Sequence, residues 1–496
     1  MSEDDGRKLA NLVSGETLWD DWTRKVYSVD ASNFVVEPLL VSSPKDEFDI
    51  QQICKFATAR NIPLVCRGAG TGLLGQSLST GIVIDFVRKM DHIVDIGDDY
   101  VIAEPGITKN RLDMELLKRG KFIPPNPASS NYCTVGGMIA NNSSGPLTLG
   151  YGSIMNYLSG VRTVYSDGEM GFAYDNEGFD NTIKSMVDLV MSELNLINRQ
   201  YPKVGKNSSG YRLDSIITRG KIHPQRIFLA SEGTLGIVTK AKLQTLDIPE
   251  FRYLLILSFP NVEAASAKVP FILKYKPVAV EMLDTNLLTD ASKLDSYHDY
   301  NCSLLVEFHS NKQSKFQSRI TRFENDVSQY SRVIDSSSHF IWIEKTWALR
   351  QNALNSILKR SSGTKRSISL IEDTVVDPSL LRDFLRLLIQ LYKKYNLSYV
   401  IYGHAGDGNL HTRPILEPQQ EIDSKKMESM AFEVFNYVKA HGGSISGEHG
   451  DGLARVKYIP WMYGKDMYDV FIKIKKIFDR NNILNPGKKV QSESLH

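Results

Sequence analysis

The fold of this chain depends on a stretch that reads Arg67-Gly68-Ala69-Gly70-Thr71-Gly72-Leu73-Leu74-Gly75-Gln76-Ser77. Three of its glycines match G-x-G-x-x-G, the pattern that a Rossmann fold places between a strand and a helix. Strands are predicted directly before the stretch, at 63–67, and shortly after it, at 82–86. The gap to the second strand is too short for a crossover helix, which needs about a dozen residues. The spacing therefore excludes a Rossmann site and predicts a glycine-rich loop between two strands.

A loop of this kind can bind an anion through its backbone. It turns consecutive N–H groups toward one point and forms a nest that suits a pyrophosphate. A flexible surface loop without a ligand is the alternative, and this segment alone leaves both readings open.

Two further segments are rich in glycine and small polar residues. Residues 124–152 read PPNPASSNYCTVGGMIANNSSGPLTLGYG, and residues 231–239 read SEGTLGIVT. The first is too long for a turn and contains little that can form a core. It therefore predicts a backbone that wraps closely around a ligand, with an unliganded Ω-loop as the alternative. The second predicts a turn followed by a buried strand.

The fourth glycine-rich segment, YGHAGDGNLHTRP at 402–414, carries two histidines. Its Asp-Gly dipeptide predicts a two-residue hairpin turn. A hairpin centred there places His404 opposite His411, with Cβ atoms about 5 Å apart, and this separation suits a shared divalent metal. Tyr402 and Arg413 then fall on the same face, because side chains alternate along a strand. Two structural histidines at a glycine turn are the alternative.

A third metal ligand is expected from SGEHGDG at 446–452. Glu448 and His449 point to opposite faces in a regular strand, but the flanking glycines permit a kinked loop in which both serve one site. Two histidines and a glutamate with one open position suit Zn²⁺, and Mn²⁺ and Fe²⁺ also fit.

The three N-terminal segments, in this order, resemble the FAD domain of p-cresol-methylhydroxylase/vanillyl-alcohol-oxidase-type flavoproteins. GHAGDGNLH at 403–411 and GEHG at 447–450 resemble the FAD-linked D-2-hydroxyacid dehydrogenases, which act on D-lactate, glycolate or D-2-hydroxyglutarate. The resemblance runs from YSVDAS (27–32) to NPGKK (485–489). It implies an α+β chain, in which a two-subdomain FAD-binding domain precedes an α+β substrate domain with an antiparallel sheet.

The resemblance implies that FAD is the cofactor and that its binding is non-covalent. In that family the first segment holds the pyrophosphate by backbone amides, the second wraps the flavin, and the third closes over the cofactor. No histidine lies in or beside the first segment to form a histidyl–flavin bond. The implied FAD contacts are Arg67, Gly68, Ala69, Gly70, Thr71, Gly72, Gly75, Gln76, Ser77, Pro125, Thr134, Gly136, Gly137, Asn141, Gly145, Glu232, Gly236 and Ile237.

The same resemblance implies a role for each residue of the histidine segments. His404, His411 and Glu448 are expected to hold a divalent metal, with zinc as the first expectation. His449 is expected to be the base, neutral at physiological pH, that takes the proton of the substrate hydroxyl.

Three cations are expected to hold the substrate carboxylate. Relatives use an arginine matched by Arg350 and a lysine matched by Lys365, and we add Arg413, which stands where the family has asparagine. A substrate-contacting threonine of the family is Leu354 in this chain. Leu354 favours a small acid such as lactate, whereas Arg413 favours a second carboxylate, so the choice of substrate stays open.

The expected reaction is therefore oxidation of a small D-2-hydroxyacid to the 2-oxoacid, with hydride transfer to flavin N5. A metal-dependent hydrolase with a nucleotide-binding domain and a non-catalytic flavin subunit of an oxidoreductase complex are the alternatives. The four cysteines lack C-x-x-C spacing, so no internal iron–sulfur cluster is expected. A separate iron–sulfur protein or a quinone is the expected electron acceptor, and whether the chain forms a homodimer stays open.

The composition is that of an ordinary globular protein, with 42% hydrophobic and 23% charged residues and a formal net charge of +2. The balanced charge gives no reason to expect nucleic-acid binding. No stretch approaches the 18 or so uninterrupted apolar residues of a membrane span. The acidic N-terminus lacks an apolar signal core, which favours a cytoplasmic location, with peripheral membrane association left open.

The predicted organisation has four parts: an N-terminal helical arm (1–33), the FAD-binding domain (34–248), a substrate- and metal-binding domain (249–470) and a C-terminal return to the FAD domain (471–496). The second domain is expected to carry a sheet covered on one face. The predicted helices are 46–61, 180–200 and 461–481. The predicted strands include 63–67, 82–86, 92–96, 100–104, 253–259, 278–283, 302–308 and 367–373.

Overall fold

The helices and strands come from a computed structural model that describes residues 3–175, 178–284, 301–360, 366–367, 371–416 and 424–495. Its helices α1–α17 are, in chain order, Glu3–Ala10, Asp21–Tyr27, Glu47–Arg60, Lys109–Leu117, Val135–Asn141, Thr148–Tyr151, Asn181–Ser192, Leu194–Gln200, Val262–Ser266, Val269–Leu273, Gln313–Val327, Phe340–Arg360, Leu381–Lys394, Ser424–Ala440, Gly452–Arg455, Ile459–Tyr463 and Lys465–Phe478. Its strands β1–β22 are Glu16–Leu18, Leu40–Ser43, Leu64–Arg67, Ile82–Asp85, Ile93–Ile96, Tyr100–Ala103, Lys121–Phe122, Leu158–Val164, Met170–Tyr174, Gly178–Phe179, Ile217–Thr218, Lys221–Ile222, Ile237–Gln244, Leu246–Asp247, Phe251–Phe259, Ala279–Asp284, Cys302–Ser310, Arg332–Ser337, Arg366–Ser367, Thr374–Val375, Ser398–His404 and Asn409–Leu416.

The first sheet has four strands in the order β1-β2-β4-β3. Strands β2, β4 and β3 run parallel, whereas β1 is antiparallel to β2. Helix α3 packs its apolar side against this sheet; Asp46 caps its N-terminus, and Asn61 ends it in the left-handed region. Strands β3 and β4 flank the first glycine-rich segment, so the predicted loop between two strands is confirmed.

The second sheet has six antiparallel strands in the order β10-β9-β8-β13-β6-β5. Helices α7 and α17 cover it, and part of the segment 124–152 packs there as well. That segment is not the coreless loop that its composition predicts. Thr134 caps α5 by accepting from the Gly137 N–H, and α5 buries Val135 and Met138. The small residues around this short helix concealed its apolar side.

The third sheet is antiparallel, with the order β18-β15-β17-β16-β21-β22-β19, and β20 also pairs with β22. Helices α9, α11 and α13 pack on one face. The expectation of a sheet covered on one face only is wrong, because α12 covers part of the other with Trp342, Ile343 and Trp347. Strand β19 contains Ser367, the first residue of the predicted strand 367–373, and residues 371–373 form a turn. Residues 368–370 of that prediction lie outside the described residues.

The two ends of the chain differ in detail from the prediction. The arm 1–33 contains helices α1 and α2, but it also contributes β1 to the first sheet. The helix predicted at 461–481 is divided into α16 and α17 at Gly464, whose φ is 77°. Helix α17 crosses the predicted boundary at 470. No helix in the described ranges combines the length and apolar character needed to cross a membrane.

Candidate active site

A cavity of about 630 Å³ lies between the glycine-rich segments and the face of the third sheet that α12 partly covers. Residues 67–73 and 136–141 form one part of its lining, the glycine-rich end. His404, His411 and His449 form another part, the histidine end, and the two meet where Asn141 Nδ2 donates to the Glu448 carbonyl oxygen at 3.3 Å. Segments far apart in the sequence therefore meet at one cavity.

Most of the residues expected to contact FAD line this cavity. They are Arg67, Gly68, Ala69, Gly70, Thr71, Gly72, Gln76, Ser77, Thr134, Gly136, Gly137, Asn141, Glu232 and Gly236. Gly75, Pro125, Gly145 and Ile237 are not part of the lining. Gly145 has φ 145°, and a Cβ there would lie 2.4 Å from the Asn126 carbonyl oxygen. Ile237 is fully buried in the core.

Two of the polar residues expected to contact FAD use their side chains to hold the protein together. Gln76 Nε2 donates to the carbonyl oxygen of His449. The Glu232 carboxylate accepts from the Asp451 N–H at 2.7 Å and lies 3.1 Å from the Lys489 ammonium. These contacts join the FAD-side segments to the loop that carries Glu448.

The histidines of the fourth segment are not directly opposite each other. The register of β21 and β22 pairs Tyr402 with His411, and His404 lies two positions further along. The turn spans residues 405–408, so the predicted two-residue turn and its register are wrong. Side-chain direction repeats every two residues, and a shift of two keeps every side chain on its face. His404, His411, Tyr402 and Arg413 therefore still share one face of the sheet.

Three histidines converge on one carboxylate oxygen. Glu448 Oε1 lies 3.1 Å from His404 Nε2, 3.3 Å from His411 Nε2 and 3.8 Å from His449 Nε2. The rings of His411 and His449 stack with centroids 4.9 Å apart. Imidazole nitrogens and a carboxylate oxygen around one point are donors that suit a divalent cation. The residues present therefore fit the expected metal.

A different grouping of ligand atoms replaces His404 with Asp373. Ligand atoms of Asp373, His411, Glu448 and His449 lie within 4.8 Å of one another. However, Asp373 already accepts the backbone N–H of Glu448 at 3.1 Å and that of His449 at 2.9 Å. Asp373 thus already holds the loop, whereas His404 Nε2 faces Glu448 Oε1 at 3.1 Å and could complete the donor set.

Buried carboxylates stand behind the three histidines. Glu281 Oε1 contacts His404 Nδ1, Glu372 Oε1 lies 2.8 Å from His449 Nδ1, and Glu372 Oε2 lies 3.4 Å from His411 Nδ1. Glu281 and Glu372 are both fully buried. A carboxylate on the far nitrogen of an imidazole orients the ring and strengthens it as a metal ligand.

These buried charges set the protonation of His449. Burial alone would lower the pKa of His449, but Glu372 and Asp373 raise it to about 9. The prediction of a neutral His449 at physiological pH therefore does not hold for the metal-free protein. A divalent cation beside Glu448 would favour the neutral ring, because a nearby positive charge disfavours the imidazolium.

Two arginines line the same end of the cavity. Arg350 on α12 is 5% exposed and Arg413 on β22 is 4% exposed. Arg350 Nη2 donates to Glu281 Oε2 at 2.6 Å, and Arg413 Nη2 lies 3.6 Å from Glu372 Oε2. Within the described part of the chain, the Nε of each arginine lacks a hydrogen-bond partner, which leaves donor capacity for a carboxylate. Lys365 lies outside the described residues.

Sequence reasoning missed several buried residues of this site. Besides Glu281, Glu372 and Asp373, it missed Lys206, whose Nζ lies 3.3 Å from Glu448 Oε2, and Ser144, whose hydroxyl donates to that oxygen at 2.6 Å. The carboxylates interrupt the apolar segments VAVEML and SLIED, and this interruption is a signal that could have identified them. Lys206 and Ser144 lie in polar loops and carry no such signal.

Two family matches divide the chain in the same way as the fold. Residues 38–171 match the family described as FAD binding domain, and residues 248–489 match FAD linked oxidases, C-terminal domain. The chain therefore carries regions that match an FAD binding domain and the C-terminal domain of FAD linked oxidases. It is 28% identical to D-2-hydroxyglutarate dehydrogenase of Escherichia coli strain K12, over 97% of this chain and 51% of that protein.

Two other relatives match over nearly their whole length. Glycolate oxidase subunit GlcD of Bacillus subtilis strain 168 is 29% identical, over 96% of this chain and 94% of that protein. D-lactate dehydrogenase of Archaeoglobus fulgidus is 28% identical, over 93% and 92%. By contrast, the chain spans about half the length of the D-2-hydroxyglutarate dehydrogenases that it matches. The resemblance to FAD-linked D-2-hydroxyacid dehydrogenases is confirmed at the level of the family.

Solved structures share the fold of this chain. The 4-ethylphenol oxidase from Gulosibacter chungangensis has a TM-score of 0.71 at 13% identity, over 100% of this chain and 98% of that chain. An alkyldihydroxyacetonephosphate synthase has a TM-score of 0.68 at 17% identity, over 98% and 85%. This likeness confirms the predicted α+β fold, an FAD-binding domain followed by a second domain with an antiparallel sheet.

Proposed function

We propose that this protein oxidises a D-2-hydroxyacid, of the D-lactate, glycolate or D-2-hydroxyglutarate class, to the 2-oxoacid. The names of the similar proteins support this class of substrate. The observation that carries the proposal is the convergence of three histidines on Glu448 in a cavity that the glycine-rich segments also line. The matched FAD-binding domain favours this oxidation over the hydrolase alternative.

FAD is proposed to bind non-covalently along the glycine-rich end. Its contacts are the residues of the first three segments named above, chiefly through backbone N–H groups, because Gln76 and Glu232 already use their side chains. Gly75, Pro125, Gly145 and Ile237 then support the binding loops from behind.

His404, His411 and Glu448 are proposed to hold the divalent metal, with zinc as the first choice. When bound, the cation supplies a positive charge that acidifies a substrate hydroxyl, and FAD supplies the acceptor for two electrons. His449 takes the hydroxyl proton at Nε2, which faces the same point as the other two imidazoles.

The substrate carboxylate is proposed to bind between Arg350, Arg413 and Lys365. The two arginines reach the cavity from different elements, α12 and β22, and the Nε of each has no hydrogen-bond partner among the described residues. Fixing the carboxylate orients the hydroxyl-bearing carbon toward the flavin, and this orientation supplies part of the rate. Arg413 could instead bind a second carboxylate, if the substrate is a dicarboxylic acid.

The electron acceptor is proposed to be a separate partner, either an iron–sulfur protein or a quinone. The protein is also proposed to be cytoplasmic. The chain is also proposed to divide into the FAD-binding domain 34–248, the substrate- and metal-binding domain 249–470 and the C-terminal return 471–496. Helix α17 spans the last of these limits.

Anaerobic reduction of the flavin tests the proposed function. The purified, FAD-loaded protein is mixed with a panel of D- and L-2-hydroxyacids, including mono- and dicarboxylates, and the flavin absorbance is followed. We expect bleaching by at least one D-acid and not by its L-enantiomer. Dialysis against a chelator should abolish the bleaching, and zinc should restore it.

Each other outcome points to a different class of protein. A colourless protein that takes up no FAD would exclude the proposal in favour of the hydrolase. A yellow protein that no hydroxyacid reduces would indicate a non-catalytic flavin subunit. Bleaching that persists after treatment with the chelator would show that the reaction does not require the metal.

A further inference from the structure

Glu281 lies where the proposed metal site and the proposed carboxylate site meet. It is on β16 directly opposite His404 on β21, and its side chain is fully buried. One carboxylate oxygen contacts His404 Nδ1, and the other accepts from Arg350 Nη2 at 2.6 Å. One side chain therefore touches both a proposed metal ligand and a proposed substrate ligand.

The two contacts have different consequences. A carboxylate behind His404 fixes which ring nitrogen carries the proton and directs Nε2 toward Glu448. The bond to Arg350 fixes the guanidinium so that its Nε, which lacks a partner among the described residues, stays buried at the cavity wall. Because the same carboxylate contacts both His404 and Arg350, a shift of the Glu281 side chain toward one partner weakens its contact with the other.

We infer that Glu281 is a positioning residue that couples metal binding to capture of the substrate carboxylate. The inference rests on the proposed function, since it takes His404 as a metal ligand and Arg350 as a carboxylate ligand. Coupling of this kind is reciprocal: a change at the arginine alters metal affinity, and metal binding alters the affinity for the acid.

Glu307 offers a matched control on the neighbouring strand. It lies on β17 opposite Ala279, on the same face of the sheet as Glu281, and it is also fully buried. Its carboxylate accepts from Arg252 at 2.8 Å and from Trp347 at 2.7 Å. It also contacts His309 at 2.8 Å. Like Glu281, Glu307 contacts an arginine and a histidine, but neither of these is part of the proposed site.

Substitution with glutamine separates the two contacts of Glu281. A carboxylate has two acceptor oxygens, whereas glutamine has one oxygen and an NH₂ group that only donates. His404 Nδ1–H and the Arg350 guanidinium are both donors, so E281Q can satisfy only one of them. In E307Q the same loss falls on contacts outside the proposed site.

The experiment measures zinc affinity of the full-length, FAD-loaded protein by competition with a chromophoric chelator. We expect E281Q to weaken zinc binding about 10- to 100-fold, the usual effect of losing the partner of a ligating histidine. At saturating zinc, KM for the reducing hydroxyacid should rise more than kcat falls. E307Q should keep both quantities within about threefold of wild type.

A double-mutant cycle with R350Q tests the coupling itself. Its effect on zinc affinity should differ about fivefold or more between the wild-type and E281Q backgrounds, because only the first retains the shared carboxylate. If E281Q does not fold, E281D replaces it, since a side chain one methylene shorter cannot keep both contacts.

The outcomes separate this inference from the proposed function. Wild-type zinc affinity in E281Q, equal losses in E281Q and E307Q, or additive effects in the cycle would each overturn the inference alone. Failure of the wild-type protein to bind zinc would overturn the proposed metal and the inference together.

Discussion

The two ends of the cavity are built by different means. At the glycine-rich end the segments pack closely on their neighbours because glycine has no side chain: a Cβ at Gly136 would lie 2.7 Å from the Pro105 ring, and one at Gly68 would lie 2.2 Å from Thr134 Oγ1. At the histidine end the wall is made of charged and aromatic side chains, which buried carboxylates hold. The first end depends on positions without side chains, and the second depends on charged side chains. A substitution at one end should therefore impair that end and leave the other intact.

The largest effect is expected from H449A at the histidine end. Loss of the proposed base should lower kcat about 10²- to 10⁴-fold while flavin colour and zinc content stay unchanged. Stopped-flow measurement of flavin reduction, with metal analysis of the same sample, checks this. H441A, which removes an exposed histidine at the end of α14, is the control and should behave as wild type. Loss of FAD in H449A would show that the two ends are not independent.

The next effect concerns the point where the two ends are joined. Lys489 is fully buried and lies 3.1 Å from Glu232 of the glycine-rich end and 2.7 Å from Asp451 of the Glu448 loop. K489M leaves two buried carboxylates without this cation and should lower the free energy of unfolding by about 3–4 kcal/mol. Chemical denaturation measures it. A loss below about 1 kcal/mol would contradict this account.

The adjacent lysine is the control for that substitution. Lys488 donates to the Leu78 carbonyl oxygen, and burial lowers its pKa to about 8. K488M should therefore cost less than K489M at neutral pH. The unfolded chain binds the Lys488 proton more tightly than the folded one, so wild-type stability should rise relative to K488M between about pH 8 and 10.5.

The smallest effect is expected from G136A at the glycine-rich end. The added methyl group meets the rigid Pro105 ring, and the strain of about 1–3 kcal/mol should appear as weaker FAD binding with unchanged zinc affinity. Fluorescence titration of the apoprotein with FAD measures it. G205A is the control, because nothing lies within 4 Å of a Cβ at that position. Loss of zinc in G136A would contradict the separation of the two ends.

The same contrast explains how much could be predicted from the sequence. A cluster of glycines indicates an irregular backbone, and the distance from this cluster to the next predicted strand is too short for a helix. These two observations were enough to predict the loop between β3 and β4. The antiparallel second domain followed from the family resemblance. The carboxylates behind the histidines could not, because Glu281 and Glu372 lie on elements whose neighbours are set only by tertiary packing. The predicted hairpin register is wrong because residues 405–407 form a helical turn, which the Asp-Gly dipeptide does not indicate.

The register of that hairpin also determines which changes of length the site can absorb. His404 and His411 share a face because the residues between them keep the two strands in phase with the pleat of the sheet. An insertion or deletion of two residues in the turn 405–408 preserves this phase. A change of one residue that shifts the pairing of β22 would turn His411 and Arg413 toward the helices on the opposite face. The turn can therefore change in length by even steps and keep His404 and His411 on one face. Its sequence is more restricted, because Gly408 has φ 67° and a Cβ there would lie 1.8 Å from the Val376 carbonyl oxygen.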